Sequence, residues 1–129
     1  MDQIVKPKRM QRDDLNAACP IRDVLDRVGD KWSSLIMLSL KPGAKRFGAL
    51  RREIEDISQR MLTETLRNLQ RDGFIARKVI PVTPPQVEYS LTALGQSLQA
   101  KLGVLAEWSS QNHDAIRAAR KIYDSETVR

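Results

Sequence analysis

The chain has 129 residues, 41% hydrophobic and 29% charged, with a net charge of +6. That length allows one domain with a modest core. No apolar run approaches the roughly 20 residues needed to cross a bilayer, and the opening MetAspGlnIleValLysProLysArgMet lacks the apolar centre of a signal peptide. The single cysteine rules out a disulfide framework within one chain. A cytoplasmic globular protein is expected.

Where the charge lies says more than its size. Between Lys41 and Lys78 stand ten basic residues (Lys41, Lys45, Arg46, Arg51, Arg52, Arg60, Arg67, Arg71, Arg77, Lys78) against five acids (Glu53, Glu55, Asp56, Glu64, Asp72), so this third of the chain carries +5. A local basic surface favours a polyanion, and nucleic acid is the commonest one. A membrane surface fits less well, because the stretch is not one long basic amphipathic helix.

Residues 1–17 are polar and of mixed charge and read as a flexible N-terminal arm; residues 18–129 form the domain. Cys19-Pro20 opens a short helix with apolar residues at Ile21, Val24, Leu25 and Val28, since proline suits the first helical position. Gly29-Asp30 interrupts it. Lys31 to Leu40 reads as a second helix with Trp32, Leu35, Ile36 and Leu40 on one side, and its apolar density marks the buried centre. After a turn at 41–44, Phe47 to Ile54 forms a third helix, with Phe47, Leu50 and Ile54 on one face and Arg51-Arg52 on the other.

The next helix follows a few residues later. Leu62, Leu66 and Leu69 recur at i, i+4 and i+7 as one apolar stripe. Ser58 can cap its start and Gly73 its end. The opposite face carries Arg60, Thr63, Glu64, Arg67 and Arg71, donors and acceptors of the kind that read base edges and phosphates. Two short helices with a tight connection, the second capped and basic, make a helix-turn-helix. The period then changes. Phe74 to Val82 and Val87 to Leu91 are β-branched and bounded by turn residues, so 74–91 reads as a hairpin wing with ThrProProGln at its tip. Thr92 caps a last helix over 92–123, with a break expected near Ser109 to Asp114. About 30 helical residues span roughly 45 Å, more than this domain can cover. The stripe of Leu94, Leu98, Leu102, Leu105 and Trp108, joined by Ile21 and Val24 of the first helix, then needs a second chain; the alternative is a helix bent back at Asn112.

The fold class is thus mainly α (α+β): a winged helix-turn-helix domain with N- and C-terminal dimerisation helices. Arg60, Thr63 and Arg67 are the first candidates for base edges, with Gln59 and Glu64 beside them; Lys45, Arg51, Arg52 and Ser58 suit phosphates. Nothing supports catalysis, a metal or a cofactor: His113 is the only histidine, and there is no glycine-rich phosphate loop.

CysProIleArgAspValLeuAspArgValGlyAspLysTrp (19–32), ArgPheGlyAlaLeuArgArg (46–52), IleSerGlnArgMetLeuThrGluThrLeu (57–66) and ProProGlnValGluTyrSerLeuThrAlaLeuGly (84–95) together resemble, in order and spacing, the HxlR-type transcriptional regulators. The resemblance spans Cys19 to Trp108. It implies a bacterial homodimer of MarR-like architecture that binds pseudo-palindromic operators in double-stranded DNA, usually as a repressor. It places the recognition helix at Ser58 to Gln70, and the dimer helices at Ile21 to Val28 and from Leu91 onward. Two positions depart from the family pattern: Asp30, where a second glycine is common, and Gln86, where a basic wing residue is common. Several members sense quinones, aldehydes or disulfide stress through a cysteine at the position of Cys19. With Pro20 as the first helical residue, Cys19 is the N-cap, where the helix dipole favours a thiolate; the alternative is a small inert core residue. The other functions open to this chain are a regulator answering a small-molecule effector without a thiol switch, and a winged-helix protein-interaction module.

Overall fold

The computed structural model describes residues 18–127. The elements run α1 (Pro20–Val28), α2 (Lys31–Ser39), β1 (Lys45–Arg46), α3 (Phe47–Glu53), α4 (Gln59–Arg71), β2 (Ile75–Ile80), β3 (Gln86–Leu91) and α5 (Ala93–Thr127). The arm expected over residues 1–17 lies outside the described residues.

α2 is the hub, packed against each of the other four helices. Its start is fixed by Asp30, whose carboxylate accepts from Ser33 N at 2.7 Å and from Ser33 Oγ at 3.1 Å. The departure from glycine at this position therefore supplies a helix cap. The buried side of α2 differs from the expected one. Ser33, Ile36, Met37 and Leu40 are enclosed, Trp32 is half-buried, and Leu35 is 42% exposed. Positions 33, 36, 37 and 40 form one i, i+3, i+4, i+7 face. Neighbours on several sides, not apolarity alone, decide which face of so hydrophobic a helix is covered. Val28, Leu50, Ile54, Ile57, Leu62, Leu66, Leu69 and Ile75 complete the core.

The sheet is antiparallel in the order β1-β3-β2. β3 pairs with β2 from Ile75 opposite Leu91 to Ile80 opposite Gln86. β1, which sequence patterning missed, adds Lys45 opposite Tyr89 and Arg46 opposite Glu88. Two residues are too short for a periodic signal. β2 is shorter than expected at both ends. Pro81 has no N–H to continue the ladder, and Phe74 belongs to the turn that closes α4.

α5 runs unbroken for 35 residues, beyond the expected end at 123 and with no break at Ser109 to Asp114. Its length is about 52 Å. Thr92 caps it, accepting from Gly95 N at 3.0 Å. Asn112, where the alternative reading placed a bend, lies within the straight helix, its Nδ2 donating to Trp108 O at 2.9 Å. Only the first turns sit on the domain: Gly95 and Gln99 are buried, Leu98 and Leu102 pack on the core, and after Ala106 nearly every residue is exposed.

Candidate nucleic-acid interface

α3 and α4 are joined by a short turn in which Asp56 takes φ +71°, a left-handed conformation that aspartate tolerates better than most residues. α4 begins at Ser58, whose hydroxyl accepts from Met61 N at 3.0 Å, as its sequence position implied. Its end has two backbone bonds, Gly73 N to Gln70 O at 3.0 Å and Phe74 N to Leu69 O at 3.0 Å. With Gly73 at φ +83°, this is a Schellman closure, and Phe74 folds back onto the core beside Leu69. Leu62, Thr65, Leu66 and Leu69 face inward. The helix is fixed along its apolar side and at both ends, so its outer side is presented as a rigid surface.

Gln59, Arg60, Thr63, Glu64 and Arg67 are all exposed and line one shallow groove on that outer side. The structure thus brings together five of the residues singled out from sequence. Thr63 donates its hydroxyl proton to Gln59 O at 2.8 Å, so it offers a methyl group and lone pairs outward. Among the described residues, the ion pairs are Arg27–Asp72, Lys45–Glu53 and Arg71–Asp72, and none consumes Arg60, Glu64 or Arg67. The groove offers guanidinium donors, a free carboxylate and an amide, the groups that distinguish base edges in a major groove.

The remaining candidates are placed differently. Arg51 and Arg52 are exposed in the last turn of α3. Lys45 is turned back onto its own domain: Nζ donates to Glu53 Oε1 at 2.6 Å and to Ser39 Oγ at 3.3 Å, and its side chain is only 19% exposed. The Lys45 ammonium, followed by the Ser39 hydroxyl, holds the Glu53 carboxyl below the ordinary carboxylate range. Gln86 is half-buried as the first residue of β3. Cys19 is the N-cap of α1, half-buried, with its thiol free and making no cap bond.

Three contacts that sequence reasoning missed converge on the C-terminal end of α4. Arg27 Nε of α1 donates to Asp72 Oδ2. Thr92 Oγ1 donates to Gly73 O at 2.6 Å, and Thr92 N donates to Phe74 O at 3.0 Å. Gly95 lies so close to the Phe74 carbonyl that a side chain there would overlap it. α1 and the start of α5 are thereby both tied to Asp72–Phe74. Arg27 and Asp72 lie 45 positions apart, so no local pattern could reveal the pair. On α1 and α5, Ile21, Leu25, Leu94, Val104, Leu105, Trp108, Ile122 and Tyr123 are all more than half exposed, whereas Val24 is half-buried on the core.

A capped surface helix behind a short helix and turn, followed by an antiparallel hairpin, defines a winged helix-turn-helix protein. Residues 27–117 match the family model described as HxlR-like helix-turn-helix, and the chain belongs to that family. It is 40% identical over 121 residues to the HTH-type transcriptional regulator YtfH of Escherichia coli, covering 93% of this chain and 96% of that one. Among solved structures it is similar to the transcriptional regulator ytfH of Salmonella typhimurium, with TM-score 0.74 and 42% identity over 81% of this chain and 94% of that one. It is also similar to the redox regulator HypR in its reduced form, with TM-score 0.73 and 39% identity over 77% and 98% of the two chains. The chain is a transcriptional regulator with a helix-turn-helix DNA-binding domain, not an enzyme.

Proposed function

We propose that the chain acts in the cytoplasm as a homodimeric, sequence-specific repressor on a pseudo-palindromic operator. The carrying observation is the exposed groove of Gln59, Arg60, Thr63, Glu64 and Arg67, whose charged residues form no ion pair among the described residues. Each subunit lays α4 in a major groove, with Arg51, Arg52 and Ser58 on phosphates and the wing along the flanking minor groove. Lys45 contributes less than its charge suggests, because Glu53 neutralises it. The second subunit covers the exposed apolar residues of α1 and α5, including Ile21, Leu94, Leu105 and Trp108. Half-sites about one helical turn apart follow from the twofold axis.

Signal enters at Cys19. Its place at the head of α1 and the likeness to a redox regulator support this reading. The thiol adds to a quinone, or exchanges with a disulfide to leave a mixed disulfide. Displacement of α1 then reaches α4 through Arg27–Asp72 and alters the presentation of the two recognition helices.

The test is selection of genomic fragments by purified protein at physiological salt, with and without a quinone or diamide. The expected result is one palindromic fragment retained, released by the electrophile, and no longer released in Cys19→Ser. Retention unaffected by electrophile removes the thiol switch and leaves the DNA reading, with a small-molecule effector or no signal at all as what remains. No preferred fragment removes the sequence-specific reading in favour of a protein-interaction module. Retention should fall steeply with salt, as counterion release requires.

A further inference from the structure

Glu64 stands where a surface built only to grip phosphates would carry no acid. It lies one helical turn after Arg60 and just under one turn before Arg67, in the same groove. Residues at these spacings pair readily on a helix. Here no ion pair joins Glu64 to either arginine among the described residues. Thr63 is not its donor, because that hydroxyl proton goes to Gln59 O. The carboxylate is therefore exposed, with no ion-pair or hydrogen-bond partner among the described residues.

Duplex DNA carries one negative charge per about 1.7 Å of axis. A free carboxylate on the approaching face opposes binding to every sequence unless a base donates to it. In the major groove the donors are the amino groups of cytosine and adenine. The adenine amino group is flanked by the N7 acceptor, which repels a carboxylate, whereas cytosine N4 is not. We propose that Glu64 is a specificity-determining residue that accepts a hydrogen bond from cytosine N4 in each half-site. Arg60 and Arg67 flank it and take neighbouring guanines. The inference rests on the reading that α4 enters the major groove. Glu64 adds discrimination twice over, by rewarding one base and by penalising all sites that lack it.

The test is selection from a randomised duplex library at physiological salt with the full chain, comparing wild type, Glu64→Gln and Glu64→Ala. Helical content of each is checked by circular dichroism. Wild type should select a symmetric motif with cytosine at one fixed position per half-site. Glu64→Gln should change that position to adenine and leave the others alone, since glutamine pairs with adenine N6 and N7. Glu64→Ala should lose preference at that position, lower discrimination about tenfold per half-site, and bind random duplex more tightly than wild type. If both variants select the wild-type motif unchanged, Glu64 reads no base and the proposal fails while the DNA reading stands. If wild type selects no motif, both fail.

Discussion

Replacing Gly95 by alanine tests how α5 is seated on the turn that closes α4. In an exposed helix this change stabilises by about 1 kcal/mol, because glycine is the poorer helix former. At Gly95 the new methyl would overlap the Phe74 carbonyl oxygen, sit 2.9 Å from Phe74 C and 3.3 Å from Leu91 Cδ2. The first two are backbone atoms that cannot swing aside. Restoring an ordinary separation of about 3.5 Å requires α5 to back away from the Asp72–Phe74 turn. Overpacking of this kind costs about 1–3 kcal/mol. The two Thr92 bonds to Gly73 O and Phe74 O lie on the same joint and contribute about 1 kcal/mol each. The expected net loss is about 3 kcal/mol, or roughly 1.5 M in urea midpoint for a chain of this size, measured at fixed protein concentration. Gly103 supplies the control: a methyl there meets only Gln99 Nε2 at an ordinary 3.5 Å, so Gly103→Ala should be neutral or stabilising. Equal midpoints for the two variants, or a raised midpoint for Gly95→Ala, refute the reasoning.

Ser58→Ala should cost about 1 kcal/mol by removing the cap on Met61 N, with Ser58→Asp restoring it, both read by urea unfolding. Arg27→Ala and Asp72→Ala, combined in a double-mutant cycle, should show a coupling of about 1 kcal/mol; additive losses would mean that the pair does not join α1 to α4. The Lys45–Glu53 pair makes acid stability pH-dependent. The Glu53 carboxyl is lowered on folding, so its contribution is present above the ordinary glutamate value of about 4.3. It is lost as pH falls through the lower folded value. Glu53→Gln should flatten that limb slightly, and salt should shrink the difference.

Local chemistry made much of the fold legible. The Leu62, Leu66 and Leu69 stripe, the Ser58 cap, Gly73 at the helix end and the two β-branched runs are contacts between near neighbours in sequence. The candidate binding face followed from them, since placing the apolar stripe inward forces Gln59, Arg60, Thr63, Glu64 and Arg67 outward. Reading failed where the pattern was degenerate or too short. α2 is apolar on several sides, so Leu35 and Met37 could not be ranked by periodicity. β1 exists only because β3 lies alongside it.

The sequence by itself therefore determined the five helices and the two wing strands, though not β1, and which face of α4 carries the charge, because helix and strand periods and caps are properties of neighbouring residues. The tertiary structure alone decided that Lys45 is held by Glu53, that α5 continues straight past Asn112, and that α1 and α5 meet at the end of α4 through Asp72, Gly73 and Phe74. Those contacts join residues far apart in the chain, and their partners are chosen only once the core around α2 has closed.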